Sequence, residues 1–234
     1  MEEKINKRNR HDFIILKPEG KKRIYQEMLL DKSNELQQLP KEFKLNKENF
    51  TVPGIVRRVE TSTESFIPVG FVPCGRVKGN RIRFGSFINV NEIEKIVTPF
   101  EVLEQFTIPA RNSCMDAVKE ILALSNLEKI PLGILGSAGL ELITNLPYTD
   151  DNSDLDLLVK SNSYEILHNI FLVLQQIGRD YSRRIDLEIM LPNGYGIKAA
   201  ELFMDTKTIL GKSLFDVKLF KKTKILVLLK KEKL

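Results

Sequence analysis

Apolar and polar residues alternate most strictly over residues 183–191, where Ile185, Leu187, Ile189 and Leu191 interleave with Arg184, Asp186, Glu188 and Met190. A period of two predicts a strand with one apolar face. Pro192-Asn193-Gly194 then turns the chain, and residues 195–203 are expected to return beside it. Upstream, Leu132, Ile134 and Leu135 form a short apolar run that stops at Gly136-Ser137, after which Leu140, Ile143 and Leu146 recur at helical spacing. This predicts strand, turn and helix, with Ser137 as the N-cap. In the next strand Leu155, Leu157 and Val159 point one way, and Asp154, Asp156 and Leu158 the other. Residues 161–177 carry the stripe Ile166, Leu167, Ile170, Phe171, Leu174 and Ile177, a helix for which Gly178 is the expected stop.

The first part of the chain reads differently. Phe13-Ile14-Ile15-Leu16 predicts a strand closed by a turn at Lys17-Pro18-Glu19-Gly20, with a basic helix after it. Residues 55–59, 66–72 and 81–90 read as further short strands, with Lys78-Gly79-Asn80 as a turn between the last two. From Asn91-Glu92-Ile93 onward the pattern turns helical, through Pro99-Phe100-Glu101-Val102-Leu103 and then Met115, Val118, Ile121 and Leu122. The expected class is α/β (α+β). A small β-rich amino-terminal domain, residues 1–92, would serve substrate or partner binding, and residues 93–234 would be the catalytic domain. A last strand is expected over residues 225–229, between lysine-rich runs.

Composition narrows the setting. With 42 % apolar residues the 234-residue chain can bury a core, and its net charge of +5 favours polyanionic ligands or an acidic partner. No basic motif interleaved with aromatics is present, so nucleic acid is not the expected partner. Cys74 and Cys114 lack paired metal-ligand spacing. MEEKINKRNR lacks the apolar core of a signal peptide, and the apolar run at 225–229 is too short to span a bilayer. A reducing cytoplasm, away from membranes, is the expected home.

The chemistry concentrates between residues 136 and 188. A Gly-Ser turn opening a helix aims free N–H groups and the positive end of the helix dipole at an anion, which makes a phosphate seat. Asp154 and Asp156 share a strand face roughly 7 Å apart at their bases, and two such carboxylates suit Mg²⁺, which fills its other positions with water and phosphate oxygens. An EF-hand is excluded, because counting from Asp150 puts Leu155 at the sixth position and Ser161 at the twelfth. A solvated acidic loop is the plainer alternative. If the strand with Asp186 and Glu188 lies beside that with Asp154 and Asp156, the site gains a third acid, able to hold a second metal or take a proton from an attacking hydroxyl. Arg183, Arg184, Lys198 and Lys212 are candidate counter-charges for phosphate, and His11 with Arg57-Arg58 are candidate phosphate or ribose contacts. His168 reads as a surface or interface residue.

Gly136-Ser137, Asp154-Leu155-Asp156 and the later Asp186 together resemble the nucleotidyltransferase superfamily, which implies a mixed sheet flanked by helices and an acidic metal site. The gap from Ser137 to Asp154 is longer than usual there and points to a narrower family. Leu146-Pro147-Tyr148 leading into Ser153-Asp154-Leu155-Asp156, then Arg184-Ile185-Asp186-Leu187-Glu188 and Leu191-Pro192-Asn193-Gly194, resembles the malonate decarboxylase holo-acyl-carrier-protein synthases, or phosphoribosyl-dephospho-CoA transferases. Arg10-His11-Asp12, Val56-Arg57-Arg58 and Pro68-Val69-Gly70 resemble that family's amino-terminal pattern. Leu187 stands where the family commonly has Gly, there is no tryptophan, and Ile209-Leu210-Gly211-Lys212 matches only in part.

The resemblance implies transfer of the phosphoribosyl-dephospho-CoA group from 2′-(5″-triphosphoribosyl)-3′-dephospho-CoA to a serine of the apo acyl-carrier subunit of malonate decarboxylase, with loss of diphosphate. Asp154, Asp156 and Asp186 would be the catalytic and metal-binding residues, for Mg²⁺ or Mn²⁺. Gly136, Ser137, Arg184, Glu188 and Lys212 would contact substrate. Two alternatives stay open: another nucleotidyltransferase acting on a small molecule or a protein, and a non-catalytic module binding a nucleotide or an acidic partner.

Overall fold

The computed structural model describes residues 8–46, 50–58 and 66–229. Val59, expected in a strand, and the charged ends at 1–7 and 230–234 lie outside them. The chain divides into two compact units, Met1–Thr98 with Leu146–Tyr148, and Pro99–Asn145 with Thr149–Leu234. Both sheets and helices are present in quantity, giving the α+β class. No described helix is long and apolar enough to cross a membrane.

The first unit is built on an antiparallel sheet of β1 (Phe13–Leu16), β2 (Gly54–Val56), β3 (Phe66–Phe71), β4 (Phe84–Asn89) and β5 (Ile93–Val97), in the order β4-β3-β2-β1-β5. Helix α1 (Pro18–Gln37) starts at once after β1, so Lys17-Pro18-Glu19-Gly20 is not a turn but a helix entry, with proline where its missing N–H costs nothing. Arg23 on α1 grips both oxygens of Glu92 at 2.6 Å, which holds the Glu92 carboxyl below the usual carboxylate range. The helix expected at Asn91-Glu92-Ile93 is a single 3₁₀ turn, Val90–Glu92, capped by Asn89, and Ile93 opens β5 beside β1. Lys78 and Gly79 take positive φ in a turn closed by mutual Val77 and Asn80 bonds of 2.8 and 2.9 Å. Gly70 and Gly85 oppose each other in β3–β4, and a Cβ on Gly85 would meet the Arg57 guanidinium at 2.5 Å, so Arg57 lies across the sheet. Tyr148, 1 % exposed, donates its hydroxyl to the Val72 carbonyl at 2.9 Å and carries Arg81 over its ring.

The second unit holds a six-stranded mixed sheet. Its strands are β6 (Leu132–Ile134), β7 (Leu155–Lys160), β8 (Ile185–Met190), β9 (Gly196–Lys198), β10 (Thr208–Lys212) and β11 (Val217–Lys221), ordered β11-β10-β9-β8-β7-β6. Only β7 and β8 run parallel, joined through helix α5. The helices are α2 (Pro99–Gln105), α3 (Ser113–Glu128), α4 (Gly136–Thr144), α5 (Tyr164–Asp180), α6 (Ala199–Phe203) and α7 (Lys222–Leu229). Ser163 caps α5, whose Leu167, Ile170, Leu174 and Ile177 are buried. Each such side chain contributes about 1.5–3 kcal/mol on leaving water. Gly178 does not stop α5. It lies inside the last turn, where a Cβ would strike the Arg183 carbonyl at 2.8 Å and reach Ile185 at 3.6 Å, so glycine lets helix and strand close.

Two further elements differ from expectation. The return after Asn193-Gly194 stays extended only over Gly196–Lys198 before α6 begins, and Phe203 joins an aromatic cluster with Tyr164, His168 and Phe171. The final strand is Val217–Lys221, while residues 225–229 are helical: Ile225 and Leu229 are buried one turn apart and Val227 between them is 55 % exposed.

Candidate active site

The parallel register of β7 and β8 sets Leu155 beside Ile185, Asp156 beside Asp186, Leu157 beside Leu187 and Leu158 beside Glu188. Residues directly opposite share a face, so Leu155, Leu157 and Val159 line up with Ile185, Leu187 and Ile189, all buried, on the side of α5. Asp156 and Asp186 project together from the other side, their backbones about 4.8 Å apart. Asp154, exposed, lies immediately before β7 and shares that side by alternation. Glu188 follows Asp186 by two residues and stands opposite Lys198 of β9.

The turn between β6 and α4 is fitted to Asp156. Leu135 N–H donates to the Asp156 carbonyl at 2.9 Å. Gly136 takes φ +58°, and a Cβ there would meet Asp156 Oδ2 at 2.5 Å, so both the backbone angle and the carboxylate demand glycine. Ser137 is the second residue of α4 rather than its cap; Leu135 occupies the cap position and no side chain caps the helix. With Gly136 already in the helix, its first N–H groups open beside the Asp156 carboxylate.

Cations gather on Asp186. Arg184 reaches its two oxygens at 3.0 and 3.1 Å and Lys198 approaches to 3.5 Å, both side chains more than half exposed. Lys212, at the end of β10, lies on the same face two strands from β8. Among the described residues no three acids, histidines or cysteines are already drawn together as a metal-binding group. Paired carboxylates still fit Mg²⁺, which takes one or two from a protein and the rest from water and phosphate.

Other polar residues hold the loop into β7 and were not anticipated. Glu141, 1 % exposed on α4, receives Arg111 Nε at 2.9 Å and Nη2 at 2.8 Å, Thr149 N–H at 2.6 Å and Thr149 Oγ1 at 2.7 Å. Asn112 caps α3 through Met115 N–H and also reaches Thr149. Arg183, expected as a phosphate counter-charge, is instead buried, donating to the Ser153 carbonyl at 2.8 Å, the Asp151 carbonyl at 3.1 Å and Ser113 Oγ. Asp150 and Asp151 are occupied too, with Asp150 Oδ1 accepting from Asn152 and Ser153, and Asp151 from Ser113. Burial pushes the nearby Cys114 thiol up to about 11, against a smaller opposing effect of Arg183. The signal for Glu141 was its position inside an otherwise apolar helix.

A groove of about 570 Å³ is lined by Leu174, Gly178, Ile185 and Leu187 and by Arg184, Asp186 and Lys198. His11, Arg57 and Arg58 belong to the other unit.

Comparison with known proteins gives two findings. The family described as the phosphoribosyl-dephospho-CoA transferase MdcG C-terminal domain matches residues 102–223, more than half of the chain. Phosphoribosyl-dephospho-CoA transferases from two strains of Xanthomonas campestris pv. campestris, 8004 and ATCC 33913, are each 33 % identical over 79 residues, which is 34 % of this chain and 37 % of theirs. The match therefore spans little more than a third of the length of these curated relatives. No solved structure matches the chain.

Proposed function

The chain belongs to the phosphoribosyl-dephospho-CoA transferase MdcG family, and from that membership we propose that it moves the phosphoribosyl-dephospho-CoA group from a triphosphoribosyl-dephospho-CoA donor onto a serine of an apo acyl-carrier protein, that of malonate decarboxylase, in the cytoplasm. The observation that carries the reading is the Asp156–Asp186 pair on adjacent parallel strands, seated against side-chain-free Gly136. The pair supports reading the site as that of a nucleotidyltransferase-like enzyme. Asp154 and Asp156, with Asp186 beside them, are the residues that would hold Mg²⁺ or Mn²⁺. The ion, when bound, supplies charge neutralisation at the α-phosphate and the departing diphosphate.

The chain's own groups do the rest. The uncapped N–H groups of Gly136 and Ser137 meet the β and γ phosphates. Arg184 and Lys198, which neutralise Asp186 at 3.0 and 3.5 Å, turn to phosphate oxygens as the donor enters. Asp186 is thereby released to accept the serine proton. The serine oxygen bonds to the α-phosphorus while the bond to the bridging diphosphate oxygen breaks. Diphosphate leaves with that electron pair, and the product is a phosphodiester. Glu188 and Lys212 contact the donor further along the same face. The groove beside Asp186 is of a size suited to the dephospho-CoA portion.

The test is the intact mass of the apo acyl-carrier subunit after incubation with the protein, Mg²⁺ and the triphosphoribosyl donor, with ATP as a parallel donor. A mass gain from the triphosphoribosyl donor alone is expected. A gain from ATP instead, or none with folded protein, overturns the assignment.

A further inference from the structure

The face that carries Asp156 and Asp186 does not end at β8. Lys198 opposes Glu188, Lys212 opposes both Gly196 and Val217, and Leu210 opposes Leu219, so alternation carries one continuous side of the sheet from the acids to the edge strand β11. At that edge the side is apolar and open. Leu210 is 38 %, Val217 39 % and Leu219 64 % exposed, and Phe215 in the adjoining turn is 60 % exposed.

The hairpin is nonetheless well held from its opposite side. The Phe220 ring meets Tyr195 edge-on at 4.9 Å, and a Cβ on Gly211 would stand 2.5 Å from Phe220, so glycine admits the ring. Ile209 there is fully buried. The one carboxylate of the turn, Asp216, is engaged by Ser213 and by the Tyr195 hydroxyl. What faces outward is a firm apolar strip flanked by Lys212 and Lys221, both exposed.

We propose that this β10–β11 face is the docking platform for the acceptor protein, a carrier with an acidic surface around an apolar contact; this rests on the reading that the acceptor is a protein serine. Charge complementarity selects an anionic partner. A second copy of this chain meeting the same face would bring two lysine-flanked strips of like charge together. Position completes the argument: β11 is three strand spacings from β8, about 15 Å, roughly the reach of a small folded protein. A carrier seated on Leu219 can thus present a hydroxyl at Asp186 while the donor occupies the acid end.

The experiment titrates apo acyl-carrier subunit into the full chain by calorimetry, for wild type, Leu219→Glu, Lys221→Glu and a control on α3, Leu127→Glu, itself 78 % exposed. Thermal melting checks each fold, the mass assay follows transfer, and sedimentation follows self-association. Leu219→Glu is expected to weaken carrier binding at least tenfold and Lys221→Glu at least threefold, each raising KM for the carrier at unchanged kcat, while Leu127→Glu behaves as wild type. Wild-type transfer with unchanged binding in Leu219→Glu overturns the platform and leaves the transferase reading standing. A folded wild type that neither binds the carrier nor transfers overturns both. A wild-type dimer that Leu219→Glu converts to monomer assigns the face to a second copy and overturns the proposal.

Discussion

Two carboxylates of the same unit, Glu141 and Asp186, are treated in opposite ways. Glu141 is sealed in, with a bidentate arginine and two donors from Thr149 filling its oxygens at 2.6–2.9 Å. Asp186 is 36 % exposed and, among the described residues, is held by two cations that solvent reaches. A buried, saturated carboxylate has no capacity left for a ligand, whereas an open one with exchangeable partners does. The acidic loop shows the same division at closer quarters, since Asp150 and Asp151 are bonded within the loop and its neighbours while Asp154 stands outside.

Breaking that contrast should give the largest effects at the open acids. Asp156→Ala and Asp186→Asn are expected to cut the transfer rate at least about a thousandfold, in line with loss of charge-organising groups, with melting temperature nearly unchanged. Near-wild-type turnover in the mass assay would sink the proposed roles. Gly136→Ala comes next. It forces a side chain into left-handed backbone and against Asp156, so transfer should drop about a hundredfold, the usual cost of misplacing a catalytic group by an ångström. Rescue of the rate by Gly136→Ser would contradict this. Glu141→Ala inverts the pattern: denaturant unfolding should show a loss of about 3 kcal/mol, the low end for a broken buried pair because Arg111 is partly exposed.

The smallest effect belongs to Cys114. Its thiol is raised from 9.0 to about 11 by burial, so the folded state favours the protonated form. The associated stability is complete below pH 9 and fades as pH climbs through about 11. Alkylation at pH 8, read by mass, should therefore spare Cys114 until denaturant is added.

Much of this contrast was legible in the sequence, but not the part that assembles it. Alternation alone put Asp154 with Asp156 and Asp186 with Glu188 on shared faces. That β8 lies beside β7 in parallel, setting Asp156 against Asp186, is a long-range pairing that no local pattern encodes. Ile93, Ile96 and Val97 imitate a helix by their spacing; they lie in a strand paired with β1, where a register shift between Ile15 and Leu16 breaks the alternation. Ser137 looked like a cap because serine often is one, but the positive φ of Gly136 moved the helix start. Arg183 and Arg184 are neighbours of one type, and only burial tells the loop anchor from the exposed partner of Asp186.

Tyr148 has a consequence for how the protein comes into being. Its fully desolvated phenol ties down the Val72 carbonyl in a unit whose other residues, its neighbours Leu146 and Pro147 apart, all precede position 99. Emergence of those earlier residues from the ribosome therefore does not complete that unit. Its last internal piece arrives only after β6 and α4 have been synthesised, so the two halves cannot mature strictly one after the other. A gene cut after residue 98 would yield an amino-terminal product lacking one of its own buried aromatic groups.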